Sequence, residues 1–237
     1  MKQIQSPSVK TDGNLTTPSA FGVHPFNKLK GNYSLLPSAF LLFCFSALLH
    51  FSGIAQTDKE KELLQMEQEV ASGKLSDDEI FEKYYNLIYE YSERGDIEKI
   101  KFYFNNAVAF AREKRKVNKE SMFFTLIGES YAILREPDSA MIYLEIASKL
   151  IEGKEFNKEK YSIYKAKGSV YDDLGDYENA IASYLKALEY NEKDLRQKEH
   201  DKQSIEQNLH NKRSVLNNMG NVYGMMFMYD KQIEIYL

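Results

Sequence analysis

The chain has 237 residues, 43% of them hydrophobic, and a formal net charge of −4 at neutral pH, which is enough length and apolar content for a sizeable core. Its one cysteine, Cys44, excludes an intrachain disulfide and a cysteine-based zinc cluster. Lys2, Lys10, Lys28 and Lys30 against Asp12 leave residues 1–55 at +3, so residues 56–237 must carry −7, and so acidic a body argues against nucleic acid as the main partner, since its phosphates require a basic face.

Residues 1–34 are polar, rich in Ser, Thr, Pro, Gly and Asn, and without periodicity; they read as a disordered leader. Residues 35–55 hold no formal charge and follow Lys28 and Lys30. The strongest apolar run there, Ala39–Leu49, is shorter than the roughly 20 residues a membrane span needs. It suits the core of a secretory signal, with Gly53 and Ala55 as the small residues before a cleavage that leaves Gln56 first. An uncleaved membrane anchor and a buried core helix stay open. The LLFC ahead of and including Cys44 lacks the small residues of a lipid-attachment motif, so that thiol reads as an apolar side chain.

Beyond residue 55 only one proline occurs, Pro137, which argues for an all-α body. Residues 56–75 read as a lead-in helix with Leu63, Leu64, Met66 and Val70 at roughly helical spacing. Ser76 before Asp77, Asp78 and Glu79 marks the next helix start, its acidic first turn complementing the dipole. Four helical hairpins then follow, at about 81–114, 121–152, 161–194 and, incomplete, 213–237. The third is the clearest: Tyr164, Gly168 and Tyr171 at helical spacing, a turn at Gly175–Asp176, then Ala180, Tyr184, Ala187 and Leu188. Gly168 lies inside a helix, where glycine costs about 1 kcal/mol relative to alanine, so a close helix approach is expected there, with small Ala180 opposite.

The second hairpin keeps this small pair as Gly128 and Ala140, with Glu136–Pro137–Asp138–Ser139 as turn and cap. The first replaces it with Ile88 and Ile100, so those two helices should sit further apart or cross differently. In the fourth, Phe227 stands at the turn glycine and Gln232 at the second small position. Equivalent positions 88, 128, 168 and 220 step by 40, 40 and 52. The excess in the last step lies in the charged stretch Asn191–Lys212, read as long helices meeting near His200–Ser204 along a sparse stripe of Leu188, Leu195, Ile205 and Leu209. The expected fold class is an all-α, right-handed solenoid of helical hairpins, truncated in the fourth repeat.

Catalytic chemistry finds no footing. None of His24, His50, His200 and His210 shares a helix face at metal-ligand spacing with another histidine or with Cys44, and no glycine-rich phosphate loop is present. Asp201–Lys202–Gln203 after His200 lacks the residues that follow a kinase phosphoacceptor histidine. Asp172, Asp173 and Asp176 read as a solvated turn. The chain is read as a non-enzyme without metal, cofactor, small-molecule substrate or nucleic-acid partner.

Gly168, Tyr171, Ala180, Tyr184 and Ala187 resemble the tetratricopeptide repeat, a helical hairpin with a usual period of about 34 residues. The departures are Lys167, where that family favours leucine, and Glu192, where proline is common. The leader and the IAQTDKE that follows the apolar run are similar to those of envelope proteins of Bacteroidetes-type bacteria. The resemblance implies a protein-interaction scaffold, exported to the envelope or anchored there through residues 35–55, that binds a peptide or partner helix in a concave groove lined by the first helix of each repeat. Carried over position by position, the groove residues are Tyr85, Tyr89, Glu129, Lys165, Ser169, Asp172, Asn217 and Asn221. Lys165 and Asn221 occupy positions compatible with the family's carboxylate clamp, but the full set is missing. The alternative is the periplasmic sensory region of a histidine kinase or of a helix-turn-helix transcriptional regulator.

Overall fold

A computed structural model describes residues 58–197 and 202–237; the expected leader at 1–34, the signal or anchor at 35–55 and His200 lie outside them. The described residues form nine helices and no strand. They are α1 (58–71), α2 (Asp77–Arg94), α3 (Ile97–Glu113), α4 (Val117–Ile133), α5 (Pro137–Leu150), α6 (Asn157–Asp173), α7 (Tyr177–Gln197), α8 (Lys202–Met225) and α9 (Tyr229–Tyr236). After α1 they pair as hairpins α2–α3, α4–α5, α6–α7 and α8–α9, and α2 with α4 and α4 with α6 also lie side by side. The result is an α solenoid.

One turn recurs in all four hairpins. Gly95, Arg135, Gly175 and Phe227 hold left-handed backbone, at φ of 69°, 63°, 74° and 59°. The next residue's N–H reaches back to the carbonyls of Tyr91, Tyr131, Tyr171 and Tyr223, at 3.0, 2.9, 2.9 and 2.8 Å. This bond satisfies a carbonyl that the helix end would leave bare. Glycine is free to adopt that backbone; Arg135 and Phe227 hold it against a penalty of about 1–2 kcal/mol. The second turn therefore rests on Arg135. Glu136, expected to begin a capping motif, offers no side-chain cap; Pro137 opens α5, and the Ser139 hydroxyl donates to the Glu136 carboxylate (3.2 Å). Ser76 does form the reciprocal capping box with Glu79.

The two glycine helices pack closely, as their sequence implies: Gly128 approaches the Ala140 backbone as expected, at 3.1 Å from where a methyl group would lie, and both glycines also meet a larger neighbour. A methyl group on Gly168 would lie 2.5 Å from the ring of fully buried Tyr184, and one on Gly128 would lie 2.9 Å from the Leu144 side chain. The large residue one turn past the expected small one fills the space that the glycine leaves. Where Ile88 and Ile100 replace the small pair, α2 and α3 run together less closely than α4 with α5 or α6 with α7. Gly168→Ala should therefore destabilise the chain by about 1–2 kcal/mol, overpacking outweighing the helix-propensity gain. Urea unfolding would show it, and an unchanged midpoint would mean that Tyr184 has room to swing aside.

The apolar interior falls into two clusters that meet at α6. Ile163, Ala166 and Val170 face the helices before it, and Tyr161 faces α7 and α8. Stacked tyrosines repeat at equivalent positions, Tyr91 on Tyr103 at 5.7 Å and Tyr131 on Tyr143 at 5.3 Å. Ser183 occupies that place in the third hairpin, where Tyr164 stacks on Tyr190 instead (5.5 Å). Lys167, the departure from leucine, is only 7% exposed; its ammonium donates to Glu145 of α5 (2.7 Å) and lies over the Tyr164 ring. It buries its stem like a leucine and ties one hairpin to the next.

Two further findings differ from the sequence reading. On α1, Leu63 is buried and Met66 and Val70 pack on the core, but Leu64 is 54% exposed. Between α7 and α8, Ile205 and Leu209 are exposed rather than part of a buried stripe. The buried positions belong to Asn191 and Asn208. The Asn191 amide donates to the carbonyl and Oδ1 of Asn208, both at 2.9 Å, and the Asn208 amide donates to the Asn191 carbonyl at 2.6 Å.

Candidate groove

The first helices of three successive hairpins present side chains at matching positions. Residues four apart on a helix share a face, so Tyr85, Tyr89 and Glu93 line one face of α2. The 40-residue step places Thr125, Glu129 and Ile133 on α4, and Lys165, Ser169 and Asp173 on α6. These form three rungs: Tyr85–Thr125–Lys165, Tyr89–Glu129–Ser169 and Glu93–Ile133–Asp173. Two adjoining cavities lie along them. The larger, about 630 Å³, is lined by Tyr85, Tyr89, Glu93, Glu129, Ile133, Lys165, Ser169 and Asp173, with Ser92, Ser130 and Arg135 among others. The smaller, about 200 Å³, adds Lys119, Met122, Lys158, Tyr161 and Ser162. Tyr85, Leu126, Glu129 and Lys165 belong to both.

Of the expected groove residues, Tyr85, Tyr89, Glu129, Lys165 and Ser169 thus come together in one cavity. Asp172, Asn217 and Asn221 line neither. Asp172 is half-buried beside Tyr184, and burial, then the charge of Asp173, raises its carboxyl. Asn217 and Asn221 are exposed on α8, where the single Tyr236 hydroxyl proton is shared between the Asn217 carbonyl and Asn221 Oδ1, both at 3.4 Å. Ser92, Ser130 and Arg135 are among the lining residues that escape the sequence reading. Ser92 and Ser130 sit beside groove positions and hydrogen-bond each other across α2 and α4 at 2.6 Å. Arg135 occupies the turn-glycine slot, and its guanidinium lies 3.6 Å from Asp173 at the groove's end. That slot is a register position, so a side chain in place of glycine was the available signal.

Glu129 stands at the centre. Burial pushes its carboxyl up to about 7, against the opposing pull of the Lys165 charge. It makes no hydrogen bond or ion pair with the described residues. Its charge in turn adds to burial in raising the Tyr85 hydroxyl and in raising that of Tyr161 to about 12. Ser169 is 3.3 Å from the Tyr184 hydroxyl, which anchors the rung from behind. The described residues contain no group of three His, Cys, Asp or Glu placed to hold a metal ion, and no helix among them long and apolar enough to cross a membrane. This surface can bind by shape, hydrogen bonds and charge.

Stacked helical hairpins with an open face along their first helices define an α solenoid of the repeat-scaffold class. Within it, residues 161–194 match the family described as Tetratricopeptide repeat, the hairpin α6–α7. The fold is similar to that of BtubC (BKLC) from P. vanneervenii, known from a crystal structure: the TM-score is 0.54 at 18% identity, over 75% of this chain and 72% of that one. At that identity the likeness concerns the fold alone. No curated protein matches the sequence.

Proposed function

We propose that this chain is a protein-interaction scaffold that binds a peptide or partner helix along α2, α4 and α6, without covalent chemistry. The observation that supports this best is the convergence of Tyr85, Tyr89, Glu129, Lys165 and Ser169, from three helices, on one open cavity of about 630 Å³. Tetratricopeptide repeats generally mediate contacts between proteins. The groove offers exposed tyrosine faces for contact area, and hydroxyl, ammonium and carboxyl groups for orientation.

Selection of random peptides displayed on phage against the full chain tests the reading. Peptides that survive should lose about tenfold or more in affinity to a Tyr85→Ala, Tyr89→Ala double variant, since aromatic anchors dominate such surfaces. Both rings are well exposed, at 38% and 46%, so the variant should keep its helical circular dichroism. Peptides that bind the double variant as tightly as the parent would place the binding surface elsewhere.

A further inference from the structure

We propose that the groove seats a cationic side chain of its partner, an arginine in preference to a lysine, on the carboxylate of Glu129 with the rings of Tyr85 and Tyr89 alongside. This rests on the groove-binding reading above and names the chemistry of what enters.

Glu129 projects from the middle of α4 into the space shared by both cavities. Two other carboxylates withdrawn from solvent find partners within the chain: Glu67 accepts from two tyrosines and a lysine, and Glu120 accepts from Arg112 at 2.7 Å. Glu129 has none among the described residues, although a partly buried carboxylate without a partner is costly. Lys165 acts on it through its field but does not pair with it. At the groove's end Arg135 is engaged by Asp173. The larger cavity, where Tyr85 and Tyr89 lie together, is thus left with Glu93 and Glu129 against Lys165, an excess of one negative charge, while the smaller adds Glu159 against Lys119 and Lys158 on the side away from Tyr89. Tyr85 and Tyr89, one turn apart on α2, face the same space, and the electron-rich face of a tyrosine attracts a cation. A guanidinium is planar, stacks on such rings, gives two parallel hydrogen bonds to one carboxylate and sheds water more readily than an ammonium.

The probe is N-acetylarginine amide, added to the full chain and followed by NMR, with N-acetylnorleucine amide as the neutral control of similar length. The arginine compound should produce saturable shifts at Tyr85, Tyr89 and the Glu129 carboxyl, and the norleucine compound should not. Glu129→Gln should weaken the arginine compound by about tenfold or more, and Glu93→Gln by about threefold or less, as a buried charge counts for more than an exposed one. Lys165→Met should strengthen it. Equal binding of the two compounds, or no effect of Glu129→Gln, would overturn the proposal. Phage-selected groove peptides that lack basic residues and bind Glu129→Gln unchanged would also overturn it, and would leave the groove-binding reading standing.

Discussion

At pH 8, Glu129→Gln is expected to stabilise the array by about 2–3 kcal/mol, and at pH 5 by less than about 1 kcal/mol. The carboxyl ordinarily titrates at 4.5, and in the fold at about 7. Between those values the folded chain holds a proton that the unfolded chain has released, so this group's contribution falls as pH rises from 4.5 through about 7. Below 4.5 both states are protonated and nothing is lost; above 7 the penalty of a partly buried, unpaired charge applies. Glutamine keeps the shape and removes the charge. Urea unfolding of parent and variant at the two pH values checks it, and an equal gain at both would sink the assignment.

Glu67 runs the other way, and Glu67→Ala should cost about 2–3 kcal/mol at pH 7. Its Oε1 accepts from the Tyr91 hydroxyl at 2.6 Å, the Tyr103 hydroxyl at 2.7 Å and the Lys99 ammonium at 2.9 Å. Partial burial would raise the carboxyl, but those three donors and the Lys99 charge together hold it at about 2. The stabilisation is complete above 4.5, its ordinary value, and is lost as pH falls toward 2, where the folded state must also take up the proton. Because Glu67 is on α1 and its partners are on α2 and α3, the loss should concentrate in α1. Amide exchange reads this directly: residues 58–71 should lose protection in Glu67→Ala while α4 to α7 keep theirs, and unchanged protection there would refute the claim. Taken together, the two carboxylates favour the array most near pH 4.5, where in the fold Glu67 is ionised and Glu129 protonated.

The architecture was legible because a solenoid writes itself locally. The turn slots at Gly95 and Gly175, the tyrosines before them, and the glycine–alanine pairs all sit within one hairpin, so spacing alone exposes them. Groove positions were legible for the same reason: once one hairpin is in register, a 40-residue step carries Tyr89 to Glu129 to Ser169. The step of 52 to the fourth hairpin carries the same register to Asn217 and Asn221, but not the same surroundings, since Tyr236 lies against them there. What stayed hidden depends on contacts between hairpins. Nothing near Glu67 in sequence announces Tyr91 and Tyr103, and Lys167 looks like a misplaced charge until Glu145 of the previous hairpin is beside it. Of the apolar stripe expected between α7 and α8, Leu188 packs on the core but Ile205 and Leu209 do not, because periodicity counts leucines and isoleucines whereas the far end of that crossing is closed by asparagines.

That crossing has a mechanical consequence. Apolar side chains tolerate sliding, since a leucine displaced by one turn finds another greasy neighbour. A pair of amides bonded to each other's backbone does not: shifting α8 along α7 by one turn, about 5.4 Å, would strand several polar groups away from water. Asn191 and Asn208 therefore act as a detent. The fourth hairpin can click into a single seat against the third or come away from it whole, and gradual creep between those two states is closed off.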